Sequence, residues 1–199
     1  MPEPFTCSRT SGKSQIDIKL PPTARAVALG IAPRTWSELY LSWRFIRANF
    51  PPSVVFCVAA ATGAWHVAHA PWGSLPVSWL LATLFGWLFI YAHDLVNQAV
   101  GHAEDSVNKP DRPIPSGLCD PPGARRRFVV VAVLFAALAA AIGVWGWALA
   151  WLAAILVYHY GGAHRWWLTK GVYTVLGIMI QAGTWRLGCS PSVPAGPTT

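Results

Sequence analysis

Charge is scarce in this 199-residue sequence: Asp, Glu, Lys and Arg make up 12% of it, against 54% hydrophobic residues. Soluble domains carry about 25% charged residues, so the composition excludes an ordinary water-soluble fold. Acids are absent altogether after Asp120. The four cysteines, Cys7, Cys57, Cys119 and Cys189, lack any metal-ligand spacing, and no disulfide is expected among them. No apolar run opens the chain; residues 1–35 are polar and contain proline, so they read as a mobile tail rather than a cleavable signal peptide. A basic stripe interleaved with exposed aromatics is also missing, so the net charge of +7 gives no argument for nucleic acid.

What the sequence has instead is twelve tryptophans, a mean hydropathy of +0.40 and long apolar windows. These predict an all-α, polytopic transmembrane helical bundle embedded in a lipid bilayer. Windows at about 51–70 and 75–96 run without Lys or Arg. The apolar region Phe128 to Tyr158 is too long for one ordinary span, and Gly143 and Gly146 offer a turn inside it, which divides it into spans at 128–142 and 145–160. A fifth window covers 167–185, with Lys170 near one end able to snorkel to the interface. Ahead of the first span, Trp36, Leu39, Tyr40, Trp43, Ile46 and Phe50 recur at helical spacing, which predicts an interfacial helix over 36–50 broken at Pro51 and Pro52. Residues 36–188 thus form the membrane domain, and 189–199 a flexible tail.

The placement of bases fits five spans. Seven precede the first window, five lie between the second and third, and Arg165 and Lys170 lie between the fourth and fifth; Arg186 alone falls on the other side. Loops rich in Lys and Arg stay in the cytoplasm, so the N-terminus and the loop 97–127 are expected there, at the endoplasmic reticulum if the source is eukaryotic. The positive charge then faces anionic headgroups.

Five of the eight acids lie between Asp94 and Asp120, and the stretch Asn97 to Gly117, NQAVGHAEDSVNKPDRPIPSG, holds three acids, two bases and three prolines. Acids beside membrane helices are costly to desolvate, which points to a cation or a phosphorylated ligand. If the second helix continues past Val96, then Asp94, Asn97, Gly101, Glu104 or Asp105, and Asn108 share one face, a set of oxygen donors suited to Mg²⁺ and a phosphate. The alternate prolines of Lys109 to Pro115 exclude helix and predict an extended lip holding Lys109 and Arg112 beside the acids. An ammonium and a forked guanidinium suit a diphosphate.

The run Asn97…Asp105…Asn108-Lys109-Pro110-Asp111-Arg112-Pro113-Ile114-Pro115-Ser116-Gly117 resembles the first Asp-rich motif of the UbiA superfamily of membrane prenyltransferases, NDxxDxxxD followed by NxPxRPxPSG. The resemblance implies a nine-helix membrane fold in which two Asp-rich cytoplasmic loops bind Mg²⁺ and a prenyl diphosphate. Carried onto this chain, it assigns Asn97, Asn108, Lys109 and Arg112 to the diphosphate and Glu104 and Asp105 to the metal. Two family carboxylates are replaced, by Gln98 and Gly101, with Glu104 a partial substitute. A motif beginning Asn-Gln and ending Glu-Asp is similar to the fungal variant branch that includes membrane terpene cyclases. With no acid after Asp120, the resemblance covers the N-terminal half of the family and implies either a truncated version or a second polypeptide that supplies the other half.

The chemistry so implied is Mg²⁺-dependent ionisation of a prenyl diphosphate. The cation is then transferred to an acceptor or cyclised to a terpene in secondary metabolism, with farnesyl diphosphate a suitable substrate for a sesquiterpene cyclase. Trp79, Trp87, Phe89 and Tyr91 are candidates to shield the cation, although aromatics on such helices more often face lipid. His102 reads as a solvated loop residue, and His159 and His164 flank the expected substrate mouth. Two alternatives stand beside this reading. One is a non-catalytic relative that binds a prenyl diphosphate or a partner; the other is an unrelated small membrane protein, against which the RPIPSG run argues.

Overall fold

Proline and glycine mark where each helix starts and stops. The computed structural model describes residues 34–188, all helices and turns, and no strand occurs among them. Helix α1 spans Arg34–Ile46. Pro51 and Pro52 lack an amide proton and cannot continue a helix from above, but they fit the first turn of a new one. The chain accordingly bends by 89° at the break and re-enters helix as a π turn, Pro51–Val55, that leads into α2, Phe56–Val67. Helix α3, Leu75–Val100, is the longest at 26 residues and again carries proline in its first turn. Gly101 interrupts it, and the short α4 follows over His102–Asn108.

Asp120 caps α5, Pro121–Ala141, where its Oδ1 accepts a 2.9 Å bond from the Gly123 amide. The stop is glycine-based. Gly143 takes a φ of +77°, and Val144 N donates back to Ala139 O while Gly143 N donates to Ala140 O, a left-handed closure that satisfies the last carbonyls of α5. Helix α6, Trp145–Tyr160, begins two residues later, and α7 covers Trp167–Gly188 after a turn through Gly161 and Gly162. The division of the apolar region near Gly143 therefore occurs where the glycine pattern puts it.

Helix α3 is the central element. It packs against α2, α5 and α6, while α7 packs against α2 and α6. Its fully buried Phe85 and Phe89 meet Phe135 of α5, with ring centroids 4.9 and 6.2 Å apart, and Phe89 stacks on Trp151 of α6 at 4.0 Å. Where the π turn ahead of α2 meets α3 the backbones close in on each other: a Cβ added to Gly86 would lie 3.0 Å from the Val54 Cα. The outer faces of α5, α6 and α7 expose large apolar side chains, among them Val133, Leu134, Leu149, Val157, Val172 and Met179. These helix contacts all fall within the compact unit that begins at Leu39.

Three expectations change. Among the described residues one helix, within Trp72–Val100, is long and apolar enough to cross a bilayer, or two if the bent pair is a single span, rather than five. The 16 residues of α6 rise only about 24 Å, short of a hydrocarbon core of about 30 Å; α5 carries Arg125 to Arg127 in its second turn, and α7 carries Lys170 in its first. The lip is not extended: Arg112 N donates to Lys109 O, Ser116 N to Arg112 O, and Leu118 N and Cys119 N to Pro113 O, giving a nest of turns around buried Pro113. The single continuous face also fails, because the helix breaks at Gly101 and Asp94 points away, its Oδ1 accepting a 2.8 Å bond from Asn49. The tails 1–33 and 189–199, with Cys7 and Cys189, lie outside the described residues.

Gly86→Val is expected to destabilise the fold by about 1–3 kcal/mol, because the backbone of the π turn at Val54 leaves no room for a side chain. Thermal unfolding in detergent should show a lowered Tm; an unchanged Tm would mean that the π turn and α3 do not approach so closely.

Candidate functional site

A cavity of about 810 Å³ opens between α2, α3, α4, α6 and α7, and along α3 its lining changes character every turn. Phe89, His93, Asn97 and Gly101 recur every four residues and therefore share one face, which passes from aromatic to polar toward the end of the helix. Beyond Gly101, α4 adds Glu104 and Asp105, and the turns after it add Lys109 and Arg112. Opposite, α6 contributes Trp151, Tyr158 and His159, and α7 contributes Lys170 and Tyr173. The result is one chamber with a charged end and an aromatic end.

The charged end is held by an internal ion pair. Asp105 is 7% exposed, and its Oδ2 accepts a 2.6 Å bond from Arg112 Nη1, which ties the lip back onto α4. Such a charge-assisted bond in a half-buried setting fixes both side chains better than an exposed pair would. The lip is also clasped from α1. Arg47 pairs with the Asp111 carboxylate, and Arg44 Nη2 donates to the Asp111 carbonyl at 2.6 Å. Arg47, in the turn that follows α1, thus acts on the lip through Asp111.

Of the six residues assigned from the motif, Asn97, Glu104, Asp105, Lys109 and Arg112 line the cavity together. Asn108 does not; it is exposed at the last position of α4. Lys170 joins the charged end instead of serving only as an interfacial anchor. Asp94 is fully buried behind the wall with Oδ2 unpartnered, and Gln98, whose Nε2 donates to Phe45 O at 3.2 Å, has an unpartnered Oε1.

At the other end, Phe89 is the only one of the four suggested shielding aromatics on the cavity wall. Trp87 stacks on Trp43, Tyr91 packs against Phe45, and Trp79 donates to Thr62. The chamber's aromatic character comes mainly from residues the sequence did not single out. Trp151 stacks on Phe89 at 4.0 Å and on Tyr173 at 5.1 Å, and Tyr173 stacks on Tyr158 at 4.0 Å. Trp151 is fixed by donating its Nε1–H to Phe89 O at 3.0 Å. His93 Nδ1 lies 2.8 Å from the Tyr173 hydroxyl and 3.5 Å from His159 Nε2. On helices that are apolar all round, hydropathy does not say which side faces inward.

The donor set can be tested against a hard divalent cation. Among the described residues no three His, Cys, Asp or Glu side chains gather as a metal group. Glu104, Asp105 and the Asn97 amide supply three oxygen-bearing side chains on one wall. That suits an ion that takes its remaining ligands from water and a phosphorylated substrate, the usual habit of Mg²⁺.

The sequence model of the UbiA prenyltransferase family matches residues 51–195. A protein named somaliensene A/B synthase, from Streptomyces somaliensis, is 39% identical over 157 residues, 76% of this chain and 51% of that protein. From Hericium erinaceus, the polyprenyl transferase eriF is 37% identical over 99 residues, 47% of this chain and 31% of its own length. The diterpene cyclase eriG of the same fungus is 37% identical over 100 residues, 49% of this chain and 30% of its own length. The chain spans about half the length of the first relative and less of the other two. No solved structure matches.

Arg47→Ala should loosen the lip without unfolding the bundle. An exposed ion pair contributes about 0.2–1 kcal/mol, so backbone amides of 109–117 should exchange hydrogen up to about fivefold faster. Unchanged exchange would mean that the clasp from α1 does not hold the lip.

Proposed function

The chain belongs to the UbiA prenyltransferase family, and on that premise we propose that it binds and ionises a prenyl diphosphate, the diphosphate at the charged end of the cavity and the prenyl chain along its aromatic end. The observation that supports this reading is that a single chamber joins Asn97, Glu104, Asp105, Lys109 and Arg112 to Phe89, Trp151 and Tyr173. An amphiphile with a doubly phosphorylated head and an unsaturated tail matches both ends. Arg112 offers the fork of its guanidinium, one nitrogen already committed to Asp105, and Lys109 and Lys170 add ammonium groups.

Ionisation breaks the allylic C–O bond, and both electrons leave with the diphosphate oxygen. Fixed positive groups lower the barrier because they stabilise charge that grows as the bond breaks, in a pocket from which water is excluded. A bound Mg²⁺, held by Glu104 and Asp105 with the Asn97 amide, would supply further neutralisation of the leaving group. The aromatic faces of Trp151, Tyr173 and Phe89 stabilise the cation left behind. That cation is then captured either by an acceptor, giving prenyl transfer, or by its own distal double bond, giving a cyclised terpene.

In this reading the chain sits in a membrane with the charged end, which carries Lys109, Arg112 and Lys170, toward the cytoplasm, because loops rich in Lys and Arg stay on that side. Lipid covers the apolar outer faces of α5, α6 and α7. A second reading is favoured by one fact, that the chain spans about half of its best-covered relative. In it, the chain binds the prenyl diphosphate without turning it over unless a second polypeptide adds further acids.

Asp105→Asn and Arg112→Ala should each lower Mg²⁺-dependent diphosphate release from farnesyl diphosphate by about 100-fold or more. The measurement uses membranes containing the 199-residue chain, with chelator as control. Release unchanged in both variants would refute the site. Binding without release in the wild type would establish the second reading.

A further inference from the structure

We propose that His93, backed by Tyr173 and His159, accepts the proton that ends the reaction in this cavity, so that its product is an olefin; the proposal rests on the prenyl-diphosphate reading given above. His93 stands one turn before Asn97 on the same face of α3, about 6 Å of helix rise from the charged end. It is therefore placed beside the chain of a substrate whose head is at Asn97 and Arg112, not beside the head itself. The ring of Trp151, which stacks on Phe89, lies 6.1 Å from the His93 ring, so the base borders the surface that would hold the cation.

A histidine that only fills a core needs one hydrogen bond and no access. Here His93, His159 and Tyr173 all line the cavity, and they touch one another: the Tyr173 hydroxyl is 2.8 Å and His159 Nε2 3.5 Å from His93 Nδ1. The remaining polar groups near this end, Ser53, Thr174 and Gln181, are not bases. The carboxylates of Glu104 and Asp105 lie 11 and 12 residues further along, about three helical turns. His93 is the imidazole nearest the Phe89–Trp151 stack.

The step balances without a co-reactant. The C–H bond next to the cationic carbon breaks, its electron pair becomes the new C=C π bond, and the proton moves to an imidazole nitrogen of His93. Tyr173 and His159 act as positioning residues that orient the ring. They also give the proton a way out, because His164 lies 6.1 Å beyond His159 between ring centroids. Water capture of the same cation would give an alcohol instead, and capture by an acceptor would give a prenylated product. A base built into the aromatic end favours neither.

The test compares the wild-type chain with His93→Phe and Tyr173→Phe in lipid nanodiscs, supplied with farnesyl or geranylgeranyl diphosphate and Mg²⁺. Products are counted per diphosphate released. The hydrocarbon fraction should fall at least tenfold in His93→Phe, with alcohol in its place, and less in Tyr173→Phe. An unchanged hydrocarbon fraction, or a wild type that makes only alcohol or prenylated acceptor, would overturn the proposal. Loss of release in Asp105→Asn is read separately and concerns only the diphosphate site. If the wild type releases nothing, binding decides: a prenyl-chain tertiary ammonium, added with inorganic diphosphate, should quench tryptophan fluorescence. Its affinity should drop at least tenfold in His93→Phe, because the ammonium N–H loses its acceptor. Equal affinities, or no binding by the wild type, would also overturn it.

Discussion

The buried bond between Asp105 and Arg112 is the interaction on which the site depends. It links two residues seven positions apart, with the last turn of α4 and Pro110 between them, and so holds the start of the lip against α4. With it in place, Lys109 and Arg112 face the same space as Asn97 and Glu104. Asp105 thereby keeps basic and acidic side chains together on one cavity. The clasp from Arg44 and Arg47 onto Asp111 secures the far side of the same loop.

The rest of the bundle sets the depth and lining of the chamber. Close approach at Gly86 brings the π turn ahead of α2 against α3, and the stack of Phe89, Trp151, Tyr173 and Tyr158 joins α3, α6 and α7 through ring faces rather than aliphatic chains. Apolar side chains on the outside and titratable ones around an internal cavity invert the pattern of a soluble domain. Relatives named for polyprenyl transfer and for diterpene cyclisation sit at similar identity to this chain.

Local chemistry was legible in the sequence wherever it is dictated by a few neighbouring residues. Pro51, Pro52 and Gly143 break helices in the expected places, and the run from Asn97 to Gly117 identified five of the residues that share the cavity. What was not legible depends on rotation about helix axes. Phe89 faces the cavity while Trp79, Trp87 and Tyr91 do not, yet all four lie in one apolar helix whose hydropathy is nearly uniform around its circumference. Trp151, Tyr173 and His93 were missed for the same reason. Asn108, at the exposed end of α4, lies off the cavity that the other five residues line. The turns of the lip escaped notice because alternate prolines permit both extended and turn conformations, and the hydrogen bonds to Pro113 O decide between them.

Photo-crosslinking with a prenyl diphosphate that carries a photoreactive group near the far end of its chain tests the central claim most directly, because it asks whether head and tail occupy one chamber. With Mg²⁺ present, label should map by mass spectrometry to Phe89–His93 of α3, to Trp151 of α6 or to Tyr173–Gln181 of α7, and excess inorganic diphosphate should suppress it. Label confined to outward residues such as Val133, Leu149 or Met179, or unaffected by diphosphate, would contradict the account.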